Sequence, residues 1–148
     1  MQLPAKVYGV FATSSVFGLS PVVVLRAEDG RLLPIYVGLS EAMAINSALK
    51  KQLLPRPMTH DLLVEIISKL NAKVEKVVID DIIDNTFYAR VIIKQEEHEV
   101  EVDARPSDSI AIALRMQCPI YIEKKVLDEA SHQNGKLPEN YVEFDQIF

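Results

Sequence analysis

Two Arg-Pro pairs each stand directly before a helix-like segment: Arg56-Pro57-Met58-Thr59-His60-Asp61 and Arg105-Pro106-Ser107-Asp108. Proline suits the first turn of a helix, Thr or Ser suits its cap, and an acid near the N-terminus complements the dipole. Helix initiation therefore explains most of both motifs. It leaves over the arginine before each proline and the histidine beside Asp61. A helix N-terminus offers free N–H groups to an anion, and a nearby guanidinium adds a bidentate phosphate donor. The chemistry open to this set is attack on a phosphodiester. Arg56 and Arg105, with Thr59 and Ser107, are the candidates to hold phosphate. His60 suits general acid or base work, because imidazole ordinarily titrates near neutrality. Asp61, Asp103 and Asp108 are candidate ligands for a divalent cation, magnesium or manganese, since hard cations favour carboxylate oxygen. Glu41 is a weaker candidate for the same ion.

The same residues fit two other readings. One is a non-catalytic binding or regulatory module with an anion site at its helix starts. The other is structural, with the acids and arginines as caps and interior ion pairs such as Asp103–Arg105 or Asp61–Arg105. His98 sits at a polar turn and His132 at the start of a tail, where both are expected to be solvated. Cys118, between a buried helix and Pro119, reads as a small core residue rather than a nucleophile. Tyr36 and Tyr88 could stack on a base, although packing on the sheet is the stronger reading of each. Glycine-rich phosphate loops, paired-cysteine metal motifs and nucleophile elbows are absent from the sequence.

The elements that must position these residues follow from hydrophobic period. Residues 5–13 read as a strand, and 21–26 as a strand buried on both faces, with Val22, Val23, Val24 and Leu25 in a row. Glu28-Asp29-Gly30 is a hairpin turn, and residues 31–37 return as its second arm. Ala42, Ile45, Ala48, Leu49 and Leu53 then share a helical face over 40–53, until Pro55-Arg56-Pro57 breaks it. Thr59 is the expected cap of a second helix with the stripe Leu62, Leu63, Ile66, Ile67 and Leu70. Strands are predicted over 73–82, 87–94 and 97–103, a deeply buried helix over 106–116, a short strand over 119–122 and a short helix over 123–130. The predicted class is α+β, a mixed and mainly antiparallel sheet with packed helices. Residues 1–130 form its domain, and 131–148 an apolar tail docked on the body or on a neighbouring subunit.

This order contains a repetition. Residues 5–51 and 72–117 both run strand, strand, strand, helix, and both open on Ala-Lys-Val, at an offset of about 66 residues. The corner Val37-Gly38-Leu39-Ser40-Glu41 is then the counterpart of Asp103-Ala104-Arg105-Pro106-Ser107, and two such corners near a pseudo-twofold axis would frame a cleft.

Composition bounds the rest. The 148 residues suit one domain, and 49% hydrophobic with 25% charged residues supports a core. A single cysteine allows no intrachain disulfide and suits a reducing compartment. No run approaches the ~18 apolar residues of a membrane span, and the first residues lack the pattern of a signal peptide. A cytoplasmic protein is expected. Sixteen Lys and Arg against 21 Asp and Glu give a net charge of −5, which weighs against a broad nucleic-acid-binding face and leaves room for a local one.

The motifs carry a family resemblance. Leu33-Pro34-Ile35-Tyr36-Val37-Gly38 followed by Glu41-Ala42 resembles the first block of the bifunctional nuclease family, and Arg56 to Leu63 the second. Asp84-Asn85-Thr86-Phe87-Tyr88-Ala89 is similar to the third. Val102-Asp103-Ala104-Arg105-Pro106-Ser107-Asp108-Ser109-Ile110-Ala111 resembles the fourth, followed by Pro119-Ile120-Tyr121. The resemblance covers residues 7–130. It implies an α+β fold, frequent homodimers, and nuclease activity towards DNA and RNA as in some plant members. The blocks match His60, Asp61, Asp103, Arg105 and Asp108 here, which is where it places a site.

Overall fold

The computed structural model describes residues 1–16, 18–132 and 135–148; residues 133 and 134 of the expected tail lie outside this set. The element order is β1 (Gln2–Ser15), β2 (Gly18–Ala27), β3 (Leu32–Tyr36), α1 (Leu39–Leu49), α2 (Thr59–Lys69), β4 (Lys73–Ile83), β5 (Thr86–Gln95), β6 (His98–Ala104), α3 (Pro106–Met116), β7 (Ile120–Glu123), α4 (Lys124–Ala130) and β8 (Tyr141–Glu143). A 3₁₀ turn over Phe144–Gln146 follows. The fold is α+β, as the period of the sequence predicts.

One sheet holds the strands in the order β3-β2-β1-β7-β4-β5-β6, with β8 paired to the far end of β1. Each triplet, β1-β2-β3 and β4-β5-β6, is an antiparallel meander. Between them β7 runs antiparallel to β1 and parallel to β4, so β1 and β4 point in opposite directions. The two βββα units are thus arranged about a pseudo-twofold axis near β7, and α1 and α3 pack on one another. At the β4–β5 turn Asp84 and Asn85 have φ of 50° and 63°, the two positive values that a two-residue type I′ hairpin requires.

The main core lies between the sheet and its helices, where Val23, Leu25, Ile45, Val77, Ile79, Ile110, Ile122 and Leu127 meet. Burial of each aliphatic side chain contributes about 1.5–3 kcal/mol. Val22 and Val24 face the opposite side of β2 and join Phe11 and Leu32 in a second cluster. Leu137 and Tyr141 pack against that cluster, and β8 extends the cover along β1. The run Val22–Leu25 is fully buried because both of its faces are covered. Phe144 reaches the main core.

The helix boundaries on either side of the prolines differ from the sequence reading. The first helix stops at Leu49 instead of Leu53, because Lys51 adopts φ 55° and the Lys51 and Gln52 N–H groups bond back to Ala48 and Ser47 carbonyls. That left-handed C-terminal turn ends the helix before the prolines are reached, and Leu53 is 99% exposed. The cap of α2 is Met58, which places Thr59 in the first turn. The stripe of α2 is also split. Val64 and Ile67 lean on the core, while Leu62, Leu63, Ile66 and Leu70 stay exposed. No helix among the described residues is long and apolar enough to cross a membrane.

Candidate functional site

Three helices begin at the same opening. Ser40 and Glu41 from the start of α1, Met58, Thr59 and His60 from α2, and Arg105 and Asp108 from α3 all line one cleft of about 650 Å³. The other wall is apolar, made by Leu63 and Ile67 of α2, Ile112 of α3 and Val91, Ile93 and Val102 of β5 and β6. Gly38 and Arg105 make no side-chain cap bond, whereas the start of α2 is closed by the Asp61 carboxylate on the Met58 N–H. First-turn N–H groups have no partner within their own helix, and the helix dipole places partial positive charge at the same end. Three such ends meet at one opening, where their partial positive charge and Arg105 stand against the carboxylates of Glu41, Asp103 and Asp108.

The polar end of the cleft is a connected cluster. His60 Nε2 lies 2.8 Å from Asp108 Oδ1, which joins α2 to α3. Arg105 donates from Nε to Asp108 Oδ2 at 2.9 Å and from Nη2 to Oδ1 at 3.2 Å. Arg105 Nη2 also lies 3.6 Å from Glu41 Oε2, which brings in α1. Burial alone would raise the pKa of Asp108, but the bonds from Arg105 and His60 outweigh it and hold the carboxyl below its ordinary value. The bond to Asp108, with the charges of Asp108 and Glu41, in turn raises Arg105. His60 is buried and its Nδ1 has no hydrogen-bond partner. Glu41 folds back over Gly38 so closely that a Cβ there would run into Glu41 Oε1.

The predicted site residues divide between this cluster and other places. His60, Arg105, Asp108 and Glu41 come together. Thr59 is exposed on the cleft wall, and Asp103 stands exposed on its β6 side without an ion pair among the described residues. Asp61 turns away. Its Oδ2 accepts the Met58 N–H at 2.8 Å, and its Oδ1 accepts from Arg115 Nε at 2.7 Å. Burial pushes the Asp61 pKa up, and these two bonds pull it further down, to a net lowered value. Arg56 lies with Asp61 and Arg115 on a separate hollow. Ser107 is buried behind the β6–α3 corner and lines a second cleft on the far side of it.

This placement does not make the three-carboxylate metal site expected from the sequence. Asp61 and Asp108 are each held by a guanidinium, and Glu41 leans on the same arginine as Asp108. Among the described residues no group of three or more His, Cys, Asp or Glu is gathered so as to hold a metal ion. A divalent cation at the cluster would have to displace Arg105 from Asp108, so the donor set does not fit one.

Sequence reasoning missed Arg115, whose position in the last turn of α3 reads as an ordinary complement to the helix dipole. It also missed the apolar wall, since Val91, Ile93 and Val102 look like core positions of any strand. Nothing in the sequence distinguishes a strand face under a helix from one beside it.

The model of the family described as the bifunctional nuclease domain matches residues 23–135, which include Glu41, His60, Arg105 and Asp108. An uncharacterised protein of Mycobacterium tuberculosis is 48% identical over 113 residues, covering 74% of this chain and 66% of its own length. Bifunctional nuclease 1 of Oryza sativa subsp. japonica is 30% identical over 136 residues, covering 84% of this chain and 40% of its own length. Bifunctional nuclease 2 of Arabidopsis thaliana is 28% identical over 107 residues, covering 69% of this chain and 32% of its own length. The chain therefore spans less than two thirds of each of these relatives. Its match to the family model, the blocks that surround the cleft and the sheet that carries them agree: the chain belongs to the bifunctional nuclease domain family.

Proposed function

We propose that the protein hydrolyses phosphodiester bonds of DNA or RNA, and that the cleft at the three helix starts is its site. The observation that carries this reading is the convergence of Arg105, the His60–Asp108 pair and three helix N-termini on one opening. A phosphate there has Arg105 and first-turn N–H groups as donors, and they would strengthen as charge builds on its oxygens. Hydrolysis also needs a group that takes a proton from water and returns one to the leaving oxygen. His60 and Asp108 share a hydrogen bond at the opening and are the titratable pair placed to do so. Names of the plant relatives as bifunctional nucleases support the substrate class.

The test is cleavage of single-stranded DNA and RNA by purified protein with magnesium, manganese or EDTA, beside Asp108→Asn and Asp61→Asn. The reading expects Asp108→Asn to lose cleavage while Asp61→Asn keeps it. Equal cleavage by all three proteins sinks it.

A second reading has its own support. His60 Nδ1 is buried and Nε2 is already engaged by Asp108, so neither ring nitrogen is free to meet a water. Arg105 is already neutralised by two carboxylates. A non-catalytic module that binds an anion at the helix starts needs no proton transfer, and would show phosphate binding without turnover.

We also infer a homodimer. Leu62, Leu63, Ile66 and Leu70 on α2 and Val100 and Val102 on β6 are exposed. Grouped apolar surface of this kind marks an interaction site more often than chance, and α2 and β6 flank the same cleft.

A further inference from the structure

Arg105 has two sides. It lines the first cleft, and it also lines a second cleft of about 650 Å³ on the other side of the β6–α3 corner. That volume lies within the range of small-ligand sites. The second cleft is formed by the β3–α1 corner at Tyr36 to Gly38, the β4–β5 turn at Asn85 to Phe87, and Pro106 and Ser107. The two repeated corners thus meet across it.

Tyr36 is the residue that needs explaining. It is 61% exposed at the end of β3, although a tyrosine there could pack on the sheet. Tyr141 neighbours it, with a pKa pushed up to about 12 by burial first and by Tyr36 second. Tyr141 is in turn fixed against Phe11 at a ring separation of 6.1 Å. Tyr36 is therefore largely open to solvent where it lines the cleft. An open tyrosine has only two side-chain torsions to fix, so stacking on a flat partner costs it little conformational freedom. Around the same cleft, Asn85 and Thr86 supply an amide and a hydroxyl, and Pro21 and Phe87 supply apolar walls.

We propose that the second cleft is a nucleobase subsite, in which Tyr36 stacks on the base next to a phosphate held at Arg105. This rests on the phosphodiester reading of the first cleft and deepens it. The substrate class that follows is single-stranded or locally unpaired nucleic acid. Bases inside a duplex are stacked on both faces and cannot offer one to a protein ring. A base and its phosphate are joined through one sugar, so the wall shared by the two clefts is a natural place for that sugar to cross. Stacking on one tyrosine accepts any base, and the subsite would bind DNA and RNA without reading sequence.

The test uses the full chain and three probes: a fluorescent oligothymidylate, the same strand paired with its complement, and the same backbone with abasic sites. Tyr36→Leu is compared with wild type, after thermal melting shows that both are folded. Tyr36→Phe serves as a control that keeps the ring. Tyr36→Leu should weaken oligothymidylate binding roughly tenfold and leave the abasic strand unchanged, while Tyr36→Phe stays close to wild type. Because the chain has no tryptophan and five tyrosines, tyrosine emission should also fall on binding in wild type and fall less in Tyr36→Leu. Oligothymidylate binding that Tyr36→Leu does not alter, or duplex bound as tightly as single strand, overturns the subsite and leaves the phosphate reading standing. Loss of all binding by wild type, abasic strand included, overturns both.

Discussion

His60 Nε2 and Asp108 Oδ1 are 2.8 Å apart, and through them the first turns of α2 and α3 are tied together at the rim of the cleft. Asp108→Asn removes the charge that Arg105 and His60 share. Cleavage should fall by at least about 100-fold if the pair moves the proton. Folding stability should fall by about 1–3 kcal/mol from the weakened bonds. Steady-state cleavage and urea denaturation on the same preparation separate the two effects.

Asp61 predicts the opposite balance. It caps α2 through the Met58 N–H and holds Arg115, and it faces away from the opening. Asp61→Asn should lower the melting temperature by several degrees, a loss of about 1 kcal/mol, and leave oligonucleotide cleavage within about twofold. Matched melting and cleavage assays check this, and a folded Asp61→Asn without activity would return Asp61 to the site.

Acid should weaken the fold in part through these two carboxyls. Both have folded pKa values lowered from the ordinary 3.8. Their stabilisation is therefore complete above about pH 4, and is lost as pH falls through the lower folded values. Urea midpoints measured from pH 6 down to pH 2 should decline below pH 4. The decline should be shallower in Asp108→Asn, which has one such proton fewer to take up.

Glu41 competes with any anion for Arg105, and it can do so because Gly38 has no Cβ in its way. Gly38→Ala should push the Glu41 carboxylate aside. Since only the end of a flexible side chain moves, stability should change by about 0.5 kcal/mol or less. Phosphate affinity should rise a few-fold in both Gly38→Ala and Glu41→Gln, as read by calorimetry with inorganic phosphate.

The apolar side of α2 yields a prediction about assembly. Leu62→Glu with Ile66→Glu alters two exposed positions, so the monomer fold should survive. Sedimentation velocity should show a dimer for wild type and a monomer for the double variant. An unchanged dimer would place the interface elsewhere.

Much of this was legible in the residues. The order of the elements through α4, the hairpin at Asp84-Asn85 and the pairing of the two strand-to-helix corners all follow from period and turn chemistry. The direction of side chains around a helix start was harder to read. His60 and Asp61 are adjacent in sequence but roughly 100° apart around a helix, so one faces the cleft and the other faces Arg115. The end of α1 also escaped, because a left-handed Lys51 carries none of the glycine signal that usually marks such a turn. The covering of Val22 and Val24 by Leu137 and Tyr141 depends on a contact more than a hundred residues distant, which no local pattern records.

The position of β7 bears on how the chain reaches this structure. Each meander can form from neighbouring hairpins, but the seam between them needs a strand that begins only at Ile120 and pairs with Ala5 on one side and Val77 on the other. Closing a loop of that length is slow. The two halves should therefore acquire hydrogen-exchange protection early and separately, with the β7 amides protected last. Until then the inner edges of β1 and β4 stand open in a half-formed sheet, and those edges are where aggregation during refolding would begin.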